Sequence, residues 1–161
     1  MSELETPPAA ETPTWLLFRV GQRDYAIPLD RVTEVVAARK PHLIPLVPSA
    51  IGGILNTRGE PLPVVDGGAA VEGFACGATR HALVLERDDV RLGVLVDSVL
   101  RIDGQLDPSR LELVDAPASH AGVCSERRRT ATGVELSIVE TDALLARAMR
   151  LLAGHSELTT S

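Results

Sequence analysis

From Trp15 onward the chain alternates apolar and polar residues with period two. "WLLFRV" is followed by the turn "GQRD" and by "YAIPL", where Tyr25, Ile27 and Leu29 alternate with smaller or imino residues, so a β-hairpin is predicted. The alternation continues through "RVTEVV", with Val32, Glu34 and Val36 on one face and Thr33 and Val35 on the other; the segment is short enough to leave a helix open. The prolines of "PHLIPLVP" forbid an interior helix and make residues 41–48 an extended connector. "SAIGG" reads as a short helical turn ending at its glycines, "ILNTRGEPLPVVD" as strand, tight turn and strand, and "GGAAVEGFACGAT" as a linker of small residues dividing two halves.

The clearest hairpin follows. "HALVLE" and "VRLGVLVDSV" flank the turn "RDD", with Val90, Leu92, Val94 and Val96 on one face and Arg91 and Asp97 on the other. "DGQLDPSRLELVDAPAS" is turn-rich, with "DPSR" as a one-turn helix, and "HAGVC" and "GVELSIVE" are expected to pair around the polar segment "SERRRTATG". After Thr141 as N-cap and Asp142 in the first turn, Leu144, Leu145, Ala148, Met149, Leu151 and Leu152 form a stripe at helical spacing that Gly154 should end. Arg147 and Arg150 would then complement the C-terminal end of the helix dipole. No strict repeat with a period of about 20 to 50 residues is visible. Many short strands and one terminal helix predict an all-β body, a barrel or sandwich architecture.

Composition bounds the function classes. With 161 residues, 45% of them hydrophobic, the chain suits one domain with two subdomains, which should fold without disulfides. Its net charge of −6 and pI near 5.2 oppose nucleic-acid binding, and Trp15, Phe18, Tyr25 and Phe74 are too few for a base-stacking platform. Residues 1–13 read as a disordered tail, and residues 154–161 as a second tail. Cys76 and Cys124 lie far apart, "MSELETPPAAETP" lacks the features of a secretory signal, and no apolar run is long enough to span a bilayer. These features predict a reduced, cytoplasmic protein without direct membrane insertion.

Candidate catalytic groups are sparse. His120 and Cys124 would share a helix face as metal ligands of a small hydrolase or metal enzyme, but "HAGVC" fits a strand better, where the pair is a solvated histidine and a buried thiol. Asp115, Ser119 and His120 supply the letters of a triad without the "GxSxG" context. The glycine pairs lack phosphate-loop spacing, and Arg127–Arg129 read as a solvated hairpin tip. No cofactor, metal site or catalytic residue is assigned. The corner "NTRGE" remains: Asn56 tolerates left-handed backbone or caps the turn, Gly59 takes positive φ without penalty, and Arg58 is presented on a stiff loop. Its guanidinium suits forked hydrogen bonds to a partner's carboxylate or carbonyls. The alternative is an internal pair with an acid such as Glu34 or Asp66.

"IGGILNTRGEPLPVVD" resembles the signature of the CheW-like domain, G-x-x-N-L-R-G-x-x-x-P-V-x-D-L. "FRVGQRDYAIPLDRVTEVV", "IPLVPSAIGG" and "LGVLVDSVLRI" resemble further segments of that family in the right order, over residues 14–153 and most strongly up to Ile102. Thr57 and Gly67 stand where the pattern usually has leucine, Pro61 adds a proline to the following strand, and Ser137 and Glu140 replace apolar and aspartate positions. The resemblance implies a mainly β fold of two SH3-like five-stranded barrels packed together as one intertwined domain, with a groove between them and a C-terminal helix. It further implies a non-enzymatic adaptor that couples the cytoplasmic tip of a chemoreceptor to the regulatory domain of a CheA-type histidine kinase. Carried onto matching positions, the receptor-binding residues are Val32, Glu34, Gly53, Asn56 and Arg58, and Gly59 and Asp66 shape the turn. A divergent module bridging another regulator is the variant reading.

Overall fold

Adjoining period-two segments form the first hairpin, β1 (Trp15–Val20) and β2 (Arg23–Pro28), turning at Gly21 and Gln22. The structure, a computed structural model, describes residues 13–37, 51–73, 81–114 and 122–160, with backbone alone at 51–52 and 154–160. A 3₁₀ turn at Leu29–Arg31 leads into β3 (Glu34–Ala37). Next come the hairpin of β4 (Ile51–Thr57) and β5 (Glu60–Asp66), the short helix α1 (Gly67–Val71), the hairpin of β6 (His81–Arg87) and β7 (Val90–Val96), and β8 (Ser98–Asp103). A 3₁₀ turn at Pro108–Arg110, β9 (Glu112–Leu113), the hairpin of β10 (Cys124–Arg129) and β11 (Glu135–Val139), and α2 (Thr141–Thr160) complete the chain. The proline connector, both predicted tails' outer residues and Asp115, Ser119 and His120 lie outside what is described here.

Several expectations are corrected. Residues 51–53 belong to β4 rather than to a helical turn. The expected linker after Asp66 begins as a wholly buried helix, because the Asp66 carboxylate caps it by accepting from the Ala69 N–H at 3.0 Å. A β-carbon on Gly67 would collide with the Leu95 carbonyl oxygen, so glycine is what lets α1 lie against β7. The strand expected to run on through Asp97 breaks there: the Asp97 N–H donates to the Arg19 carbonyl at 2.9 Å, its carboxylate accepts from the Gly21 N–H at 2.6 Å, and β8 enters the other sheet. Arg127–Arg129 lie within β10 and not at its tip. Arg127 and Arg129 pair across strands with Glu135, and Arg129 also with Glu112, while Arg128 pairs with Glu126 two residues along the same strand. At α2 the Leu144 N–H bonds to the Glu140 carbonyl, which makes Glu140 the N-cap, whereas the buried Thr141 hydroxyl has no hydrogen-bond partner among the described residues. Gly154 does not stop this helix, which continues to Thr160 and leaves Arg147 and Arg150 in its middle. Arg147 instead donates to the Ala69 carbonyl of α1 at 3.3 Å.

The two sheets share one plan, although the sequence shows no strict repeat. One has the order β8-β1-β2-β11-β10-β9 and the other β3-β6-β7-β5-β4. In each, a hairpin (β1–β2 or β6–β7) pairs antiparallel with a strand that crosses from the other half (β8 or β3). Its second strand pairs parallel with β11 or β5, after which a helix follows. The fold is therefore a strand-swapped duplication, to which the two-residue β9 adds a sixth strand. Gly21 and Asp88 hold equivalent turn positions with φ of 63° and 56°, and Gly59 and Gly133 do so with 81° and 91°.

Alternation gives most strands two apolar faces. Eighteen buried residues form the cluster between the sheets, including Phe18, Tyr25, Ile27, Leu83, Leu85, Leu92 and Val94, and α2 closes it with Leu144, Leu145 and Ala148. Smaller clusters fill each curled sheet: Leu55, Leu62, Val64, Ala82, Val84 and Leu95 in one, and Trp15, Leu17, Ala26, Leu106, Leu136 and Ile138 in the other. Within the shared core Phe18 stacks on Tyr25 with ring centroids 5.4 Å apart. The Tyr25 hydroxyl donates to the buried Glu72 carboxylate, which Arg23 approaches at 3.7 Å. Burial first, and then the hydrogen bond to Glu72, push the Tyr25 phenol above the ordinary tyrosine range.

Two outcomes follow for stability. Gly67→Ala should lower the unfolding free energy by about 1–3 kcal/mol in urea titrations, because helix and strand must separate. Tyr25→Phe should cost about 1–3 kcal/mol at neutral pH by leaving Glu72 without its donor. Because the folded pKa of Tyr25 is raised, its contribution is complete below about pH 10 and is lost as pH rises through the folded pKa. The alkaline fall in stability expected of the parent should be shallower in Tyr25→Phe.

Candidate docking site

The β4–β5 hairpin closes at the Thr57–Glu60 pair, leaving Arg58 and Gly59 as its two turn residues. Both have positive φ, 54° and 81°, the mirror-image turn that matches strand twist. Glycine adopts this freely, but a side chain at Arg58 does so at a cost of about 1–2 kcal/mol, a position where asparagine or glycine is normally preferred. Asn56, expected to serve the turn, instead lies in β4 opposite Pro61, with an exposed side chain. Backbone strain at an arginine suggests that the side chain itself is wanted there.

Arg58 is 81% exposed, and one terminal nitrogen lies 3.4 Å from a Glu34 carboxylate oxygen. The contact joins opposite ends of the five-stranded sheet, since Glu34 is in edge strand β3 and Arg58 follows β4 at the other edge, so the sheet is curled into a barrel. Arg91 is the hub beneath it, 3.5 Å from Glu34, 3.1 Å from Glu86 and 3.4 Å from the Thr57 hydroxyl. These side chains close the barrel mouth above its apolar interior. As a largely exposed ion pair, Arg58–Glu34 adds about 0–1 kcal/mol and leaves the outer edge of the guanidinium available.

The predicted residues are only partly gathered. Glu34 and Arg58 meet, with Asn56 exposed on the adjoining strand. Glu34 and Val36 share the half-buried face of β3 as predicted, with Val35 exposed on the other and Val36 packed inside the barrel, whereas Val32 precedes the strand and packs on the intersheet cluster. Gly53 is buried beside a register shift in β4, where it shapes the strand. Gly59 is the second turn residue and Asp66 the cap of α1. Sequence reasoning missed the joining roles of Arg91, Glu86 and Thr57. The one available signal was an arginine at the mouth end of an apolar strand. The β5–β7 ladder starts only at Val64, beyond Pro61 and Pro63, as expected of residues without an N–H.

Cys124 opens β10 and is half-buried against the intersheet cluster, and His120 is outside the described residues. Among the described residues no three His, Cys, Asp or Glu side chains gather as metal ligands, and no helix is long and apolar enough to cross a membrane.

Comparison with known proteins matches this arrangement. A stretch 34% identical over 84 residues relates the chain to protein PilI of Pseudomonas aeruginosa, covering 51% of this chain and about half, 47%, of that relative's length. Chemotaxis protein CheW of Rhizobium meliloti is 30% identical over 131 residues, covering 77% of this chain and 84% of that protein. The crystal structure of the scaffolding protein TtCheW from Thermoanaerobacter tengcongensis superposes with a TM-score of 0.64 at 22% identity, covering 86% of this chain and 88% of that one. The two curled sheets are thus the paired SH3-like subdomains expected from the sequence. With its corner motif built as an arginine-bearing turn and residues 14–148 matching the family pattern, the chain belongs to the CheW-like domain family.

Proposed function

We propose that this protein is a non-enzymatic cytoplasmic adaptor that couples the cytoplasmic tip of a chemoreceptor to the regulatory domain of a CheA-type histidine kinase. The observation that carries the reading is Arg58, kept exposed on a strained turn and braced by Glu34. A rigid guanidinium beside exposed Asn56 can bond the polar groups of a helical hairpin tip. Glu34, Asn56 and Arg58 form the contact surface, while Val32 and Gly53 act by shaping the strands that carry it. The similarity to chemotaxis protein CheW of Rhizobium meliloti supports the role, and contacts with a receptor would recruit the chain to receptor arrays.

Size-exclusion chromatography with light scattering tests this proposal. The protein, a CheA-type regulatory domain and a soluble receptor-tip fragment should form a ternary complex, and Arg58→Ala should weaken receptor capture at least about tenfold while leaving the kinase pair intact. Its stability should remain within about 1 kcal/mol of the parent, and Arg58→Asn, which suits the left-handed turn, should fold at least as well. A large stability loss with receptor capture intact would reduce Arg58 to a brace for the sheet. A kinase domain that fails to co-elute would move the protein to a role bridging another regulator.

A further inference from the structure

The duplicated plan gives the molecule two barrel mouths. At one, Arg58 and its carboxylates close the opening. At the other, the β10–β11 turn places Thr132 before Gly133 where the first has Arg58 before Gly59, and a cavity of about 400 Å³ lies open. Its floor includes Leu17, Leu100 and Leu136, with half-exposed Val134 at the lip and Arg19 and Arg101 on the rim. A second cavity of about 260 Å³ adjoins through Arg19, Asp24 and Val134 and adds Arg23 and Arg127.

We propose that this second mouth binds an extended acidic segment of a partner protein, seating one apolar side chain on the leucine floor and pairing a flanking carboxylate with Arg101. Among the described residues, four arginines line the joined cavities with the carboxylates of Asp24 and Glu135, and two of them reach carboxylates outside the lining, Glu72 and Asp103. Arg19 grips Asp24 at 2.7 Å and neutralises it, while Arg127 and Arg23 sit 3.7 Å from Glu135 and Glu72. Arg101 is 57% exposed and, among the described residues, pairs with Asp103 at 3.5 Å, so its guanidinium can exchange that contact for a ligand at small cost. It projects from β8, the edge strand of its sheet, whose outer side meets no other strand among the described residues. An extended segment can add to such an edge through main-chain hydrogen bonds, with the pocket selecting its side chain. Against a net charge of −6 the match is local, and it should weaken steeply with salt.

The test uses the ¹⁵N-labelled full chain, titrated with a capped peptide of alternating glutamate and leucine and, separately, with its lysine–leucine counterpart. The acidic peptide should shift the amides of Leu17, Leu100, Arg101, Thr132 and Val134, and the basic one should not. Arg101→Glu should weaken binding by about tenfold or more, Arg101→Gln should fall between, and Arg58→Ala should change nothing, which separates this site from the receptor-facing one. No shifts at millimolar peptide, equal response to the lysine peptide, or indifference to Arg101→Glu would overturn the proposal.

Discussion

The architecture depends on one shared core. Among the described residues the intersheet cluster holds eighteen buried side chains against six inside each barrel, and it draws on strands of both sheets and on both helices. Burying a single large aliphatic or aromatic side chain contributes about 1.5–3 kcal/mol, so this layer outweighs either barrel interior. Neither sheet can keep its form alone, because each borrows a strand from the other half of the chain: β3 leaves the first hairpin for the second sheet, and β8 makes the reverse crossing. Asp97 marks the second crossing, where its backbone and carboxylate both bond to the β1–β2 hairpin.

The two halves diverge where they meet solvent. Helix α1 is five residues long and lies flush against β7 because Gly67 removes a side chain, whereas α2 carries leucines into the shared core. Arg147 ties the pair by donating to a carbonyl of α1. At the barrel mouths the same plan carries different charges: Arg58 and Arg91 are matched by Glu34 and Glu86 in one, and Arg19 and Arg101 line the other with Asp24. A duplicated scaffold thereby offers two differently charged ends, a suitable basis for binding two unlike partners.

The departures from the family pattern have physical accounts. Thr57 replaces an apolar residue and accepts a hydrogen bond from Arg91, adding a polar tie to the mouth. Gly67 replaces leucine at a close approach to β7. Ser137 is buried in β11, and Glu140 caps α2 where an aspartate is usual, a change that keeps the backbone role. These substitutions affect packing and caps, while the arginine turn retains its form.

Alternation in the sequence was enough to locate the hairpins at residues 15–28, 54–66 and 81–96, because period two and turn letters are local properties, and the corner motif identified the family. The arginine run misled, since a charged strand reads as a loop until its carboxylate partners on β9 and β11 are known. The small residues after Asp66 read as a linker because burial of α1 depends on β7, distant in sequence. Arg58 was legible as an exposed turn residue, and Glu34 was one of the two acids named as an internal partner for it; the choice of Glu34 and the hub at Arg91 were not legible, because they require the sheet to curl until its two edges meet. Sequence by itself determined three hairpins, the corner turn and the family; only tertiary structure decided the strand exchange, the charged strand β10, the closed and open mouths, and which charges face one another. Those depend on contacts between residues far apart in the chain, which no local pattern encodes.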